Sequence, residues 1–149
     1  LWNSEEDVLL VIVGKLGWMM DDFAYKARNH SQINKKLFWL EGISDEYLNK
    51  IYESSTCLIV SSEGEGFGLP LIEAAQSNIP IIARDIKVFQ EVAKEFAYYF
   101  NDDDNPKTIS EAIKNWLELY KADKHPKSHN IPWLTWQEST KILLDKIII

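Results

Sequence analysis

Five short apolar runs recur along the chain, each unbroken by polar alternation: Val8 to Val13, Leu37 to Leu40, Cys57 to Val60, Ile79 to Ala83 and Ala97 to Phe100. A strand with one wet face alternates apolar and polar residues. Runs that are apolar throughout, rich in β-branched and aromatic side chains, suit strands buried on both faces of a parallel sheet. Helical patterns fill the intervals. Ser44-Asp45-Glu46 opens one as an N-cap, with Tyr47, Leu48, Ile51 and Tyr52 on one face. Pro70 suits the first turn of a second. Val88, Val92, Ala93 and Phe96 form a third stripe. Ile109, Ala112, Ile113, Trp116, Leu117 and Tyr120 form the clearest, and a last helix is expected from Trp136 to about Ile147. Strict alternation of strand and helix predicts an α/β, Rossmann-like parallel sheet with helices on both faces, in one domain over residues 1–149. The stretch 124–136, with two prolines and two histidines, has no period and reads as an extended surface connection to the last helix.

Composition narrows the function. Sixteen Lys and Arg against 23 Asp and Glu give a net charge of −7, which excludes nucleic acid as the expected partner. Cys57 is the single cysteine. It lies inside an apolar run, so it reads as a buried inert thiol in a reducing, cytoplasmic setting. No apolar run approaches the roughly 18 residues of a membrane span, and the first residues lack the basic start of a signal peptide. The chain begins without Met and ends on three isoleucines, as a piece of a longer protein would.

The stretch Ser61 to Ala75, SSEGEGFGLPLIEAA, follows the third run at a strand end, where such folds bind ligands. Neither nucleotide motif is present. Gly64, Gly66 and Gly68 give G-x-G-x-G without the last glycine of the dinucleotide fingerprint, and no Gly-Lys-Ser/Thr follows, nor does Gly14-Lys15-Leu16 supply one. A helix starting near Leu69-Pro70 points free N–H groups and partial positive charge at an anion. Gly66 and Gly68 allow close backbone approach. Glu65 and Glu73 offer only acceptors, whose natural partners are hydroxyls. Diphosphate, ribose and sugar meet in one ligand class, the nucleotide-sugars.

Glu65-Gly66-Phe67-Gly68-Leu69-Pro70 followed by Leu71-Ile72-Glu73-Ala74 resembles the signature of retaining glycosyltransferases of the GT-B fold, a family with many mannosyltransferases. Flanking segments agree in order, from LVIVG through FWLEGISDEYLNKIYESSTCLIVSS and IPIIARDIKVFQEVA to NDDDNPKTISEAIKNWL. The resemblance implies the C-terminal, donor-binding half of a two-domain enzyme that transfers a hexose, with mannose the first candidate, from a UDP- or GDP-sugar. It implies that Glu73 accepts hydrogen bonds from the ribose hydroxyls and that Glu65 is catalytic, contacting the transferred sugar. The backbone of Gly66, Phe67, Gly68 and Leu69 would line sugar and diphosphate. Gly14, Lys15, Gly42, Ile43 and Ser44 would border the nucleobase. It further implies metal-independent chemistry, the N-terminal domain of the same protein as a partner, and an acceptor of unspecified kind: a glycan, a lipid-linked sugar or a small molecule. Peripheral attachment to the cytoplasmic membrane face is the alternative location.

One departure stands out. The family's domain opens with a further strand and helix whose basic residues clamp the diphosphate, and none precedes Leu1. In the order 3-2-1-4-5-6 that strand is central. The fragment would pair its second and fourth strands directly, leave a gap, or take a strand from another chain or a dimer partner, and alone it is expected to be inactive. The competing readings are a non-catalytic nucleotide-sugar-binding module or degenerate partner subunit, and a nucleotide-sugar epimerase, for which no acid and base residues stand out. Asp102-Asp103-Asp104 imitates a metal motif but reads as a turn before a helix. His30, His125 and His129 have no ligand spacing and read as surface or loop residues. Phe67 reads chiefly as a packing residue. Trp133 and Trp136 are expected to pack the last segment onto the domain.

Overall fold

The computed structural model of the chain describes residues 2, 6–17, 19–103 and 105–147. The chain divides into two compact units, Leu1–Ser54 and Ser55–Ile149. Every strand pairing within them is parallel, as unbroken apolar runs predict.

The first unit holds β1 (Leu10–Val13), α1 (Asp21–Arg28), β2 (Leu37–Leu40) and α2 (Asp45–Ser54). β1 and β2 pair from Leu10 opposite Leu37 to Val13 opposite Leu40. Ser44 caps α2, its hydroxyl accepting from the Tyr47 N–H at 3.3 Å. The Ser44 side chain also hydrogen-bonds the Glu46 carboxylate, which holds that group below its usual range. α1 has no such signal: Met20 precedes it without a side-chain cap, and its buried residues are two alanines, Ala24 and Ala27.

The second unit holds β3 (Leu58–Val60), α3 (Leu69–Gln76), β4 (Ile81–Arg84), α4 (Lys87–Ala93), β5 (Tyr98–Phe100), α5 (Pro106–Lys121) and α6 (Trp136–Ile147). Its sheet runs β3-β4-β5. Ile82 and Phe100 pack with Ala112 and Trp116 of α5, joined by Ile59, Ile109, Ile113 and Leu117. Alternate strand residues face opposite sides, so burial of Ile81 and Ala83 together with Ile82 means that both faces of β4 are covered. Asn105 caps α5 by accepting from the Lys107 N–H, and Pro106 sits in its first turn. α4 stops at Ala93, sooner than its apolar stripe suggests, where Lys94 takes a positive φ of 48° and a 3-10 turn carries the chain to Phe96.

The connection 124–136 contains a 3-10 turn at Ser128–Asn130. His125, Ser128 and Ile131 are buried, and the Ser128 hydroxyl donates to the Ile79 carbonyl at 2.6 Å. The His125 ring lies against Trp116 and Tyr120, so it is a core residue and not the surface histidine its neighbours suggest. His30 and His129 are exposed. The two tryptophans depart from expectation in the other direction. Trp133 is 43% and Trp136 86% exposed, and α6 buries none of its described residues.

Candidate functional site

The candidate residues fall into two sets, one in each unit. In the first unit β1 runs out at Gly14, whose φ of 140° few side chains tolerate, and β2 runs out at Glu41-Gly42, with Gly42 at φ 65°. The parallel register brings these ends together: the Gly14 N–H donates to the Leu40 carbonyl at 3.1 Å. The Trp39 indole N–H donates to the Gly14 carbonyl at 2.8 Å. Lys15, Gly42 and Ser44 are exposed and Ile43 is half-buried.

Glu41 was not a candidate from the sequence, yet it organises this corner. One carboxylate oxygen accepts from the Leu16 N–H and the other from Arg28, both at 3.3 Å. The Arg28 guanidinium lies 5.1 Å over the Trp39 ring, within cation–π range. Only its position three residues before the capping serine hinted at a role.

In the second unit Ser61 to Gly68 leads from β3 into α3. Gly68 caps the helix in the left-handed region, at φ 84°. A Cβ there would meet the Phe89 ring at 3.1 Å and Leu71 Cδ1 at 3.3 Å. Gly68 is therefore required twice, by handedness and by space. Gly64 and Gly66 face open space, so backbone access and not crowding is what they supply. Pro70 lies in the first turn of α3, leaving the free N–H groups of the turn directed beyond the helix start. Leu71, Ala74 and Ala75 bury the helix. Glu73, four residues after Leu69, shares its exposed face. It is the fifth residue of α3.

Glu65 is exposed, as are Phe67 at 54% and Leu69 at 57%. Phe67 is thus not the packing residue its apolar side chain suggested. Acceptor carboxylates, open glycine backbone and a helix start lie within nine residues.

A cavity of about 230 Å³ opens beside this loop, lined by Glu63, Arg84, Phe100, Asp103, Asn105, Pro106, Thr108 and Ile109. Arg84, at the end of β4, was not flagged by any motif. Asp103 accepts from the Asn105 N–H at 2.9 Å and from the Thr108 hydroxyl at 3.0 Å, which is the turn and helix start expected of the aspartate run; Asp104 lies outside the described residues. Burial pushes the Cys57 thiol up to about 12, so it is no nucleophile near neutral pH. Among the described residues no three His, Cys, Asp or Glu side chains gather as metal ligands, and no helix is long and apolar enough to cross a membrane.

A family model described as "Glycosyl transferases group 1" matches residues 1–131. The serotype-specific mannosyltransferase WbdA of Escherichia coli is 52% identical over 149 residues, which are 100% of this chain and 18% of WbdA. The O-antigen chain mannosyltransferase RfbU of Salmonella typhimurium is 42% identical over 119 residues, 80% of this chain and 33% of RfbU. Among solved structures, the pneumococcal O-GlcNAc transferase GtfA, crystallised with UDP and GlcNAc, superposes with a TM-score of 0.61 at 20% identity. It covers 78% of this chain and 23% of GtfA. The chain thus spans less than a fifth of the length of the WbdA proteins it matches.

Proposed function

The chain belongs to the group 1 glycosyl transferases, and from that premise we propose that it binds the nucleotide-sugar donor of a retaining hexosyltransferase. The observation that carries this reading is the turn into α3. Left-handed Gly68 starts a helix whose free N–H groups suit a diphosphate, while Glu65 before it and Glu73 on its exposed face suit hydroxyls. Glu73 would hold the ribose and Glu65 the transferred sugar, with the backbone of Gly66 to Leu69 along the diphosphate. Gly14, Lys15, Gly42, Ile43 and Ser44 would flank the base. Relatives named as mannosyltransferases favour mannose as the sugar, carried on GDP or UDP.

In this mechanism the bond between anomeric carbon and diphosphate oxygen breaks as the acceptor oxygen attacks from the same face. The acceptor proton passes to the leaving phosphate, and the transfer is proposed to run without a metal. The helix start stabilises the growing negative charge where it develops. Acceptor binding falls to parts of the longer protein, and the isolated fragment is inactive.

Substitution in the full-length enzyme tests the assignment. Glu73→Ala weakens donor binding by about 1.5–3 kcal/mol, the worth of hydrogen bonds to a charged group. Glu65→Ala lowers turnover more than nucleotide affinity. Donor titration and steady-state rates decide it, and wild-type values in both variants sink the reading. Donor binding by a full-length protein that transfers no sugar would instead mark a non-catalytic module.

A further inference from the structure

Arg84 ends β4 beside the cavity, with a side chain only 11% exposed. Its Nε donates to the Ser61 carbonyl at 3.0 Å. Nη1 donates to Asp102 Oδ1 at 2.9 Å and to the Asp103 carbonyl at 3.3 Å. The guanidinium lies 5.8 Å from the centre of the Phe100 ring. The Ser61 carbonyl is the first past the end of β3, so Arg84 replaces the partner that the ladder no longer supplies. On the other side Asp103 is fixed to the start of α5 through Asn105 and Thr108, and α5 is anchored in the core by Ala112 and Trp116.

Residues Glu63 to Phe67, which include Glu65, are all exposed, and Gly64 and Gly66 have no neighbour at their Cβ positions. The loop is therefore held at its ends, by Arg84 at Ser61 and by the buried Gly68 where α3 begins. We propose that Arg84 is a positioning residue of the glycosyl transfer: it ties the root of the Glu65 loop to the rigid β5–α5 junction. Glu73 does not depend on this tie, because α3 is held by its own buried face. The proposal rests on the donor-binding reading of the loop. It predicts that loss of Arg84 acts on Glu65, and so on turnover, more than on donor affinity.

The test uses the full-length protein with Arg84→Gln, Arg84→Lys and Asp102→Asn. In Arg84→Gln proteolytic cleavage within residues 63–67 becomes about tenfold faster, as loss of one charge-assisted hydrogen bond to the loop allows, while α3 and α5 stay as resistant as in the parent. Turnover per folded molecule falls about 10- to 100-fold, the effect of a misplaced catalytic group, and donor KM stays within about threefold. Arg84→Lys restores part of both, since an ammonium keeps the charge but cannot reach all three acceptors. Asp102→Asn gives the same split at smaller amplitude and carries the test if Arg84→Gln fails to fold. A lowered melting temperature with loop cleavage and turnover per folded molecule unchanged makes Arg84 a mere staple and overturns the proposal. Equal losses in kcat and donor affinity overturn it too. If Glu65→Ala and Glu73→Ala are silent, the donor-binding reading fails whatever the loop cleavage does.

Discussion

β1 and β4 are both four-residue parallel strands that read as fully buried in the sequence, and the structure treats them differently. In β4, Ile81, Ile82 and Ala83 are all at or below 1% exposure. In β1, Leu10, Val11 and Val13 are each 38–39% exposed. β4 lies between β3 and β5 with both faces covered, whereas among the described residues β1 pairs with β2 alone. β-branched composition reports what a strand is suited to, and neighbours decide what it receives.

The largest expected effect breaks the comparison at its strong end. Trp116→Ala, in the core of the second unit, costs about 3–5 kcal/mol, against less than about 0.5 kcal/mol for Val11→Ala on the exposed strand. Denaturant unfolding of both variants checks the pair. A β1 variant as costly as the core variant would mean that β1 is buried in solution.

The glycines set a smaller contrast. Gly68→Ala meets both a left-handed backbone and the Phe89 and Leu71 side chains, for about 2–4 kcal/mol. Gly42→Ala in the first unit meets the left-handed backbone alone, for about 1–2 kcal/mol. Thermal unfolding orders them, and the reverse order would mean that the Phe89 contact is absent.

The smallest effect is a pH dependence seated in the second unit. Burial first, then the neighbouring Lys127 ammonium, holds the His125 imidazole below its ordinary 6.5, while Asp123 pulls the other way. The unfolded chain therefore takes up this proton before the folded one. The stability contributed by neutral His125 is complete above about 6.5 and drains as pH falls toward the depressed folded value. Melting temperatures at about pH 7.5 and 5.5 should differ less in His125→Phe than in the parent. An identical difference would assign the pH dependence to the carboxylates.

Elements with their own caps and stripes were legible. The four residues of β2, the turn at Pro70 and the start of α5 stand where local chemistry puts them. α1 was not, because Met20 gives no cap and two alanines give no apolar stripe. The burial of 125–131 was hidden for another reason: the partner of Ser128 is the Ile79 carbonyl, 49 residues away, in a stretch whose prolines and charges read as solvent-facing. The candidate site divides along the same line. The spacing of Glu65 and Glu73 is local and could be read. Glu41 and Arg84 act through partners 13 to 25 residues distant, and single residue types at strand ends carry no trace of that.

Gly68 also bears on how this loop can change over generations. Two independent obstacles guard the position, a left-handed backbone and the ring of Phe89. Trimming Phe89 would ease the second, with Leu71 Cδ1 still at 3.3 Å, and leave the first. Asparagine, which visits left-handed backbone more readily, would ease the first and worsen the second. No single substitution opens a path away from glycine, so the loop can change only around a pivot it is unable to leave.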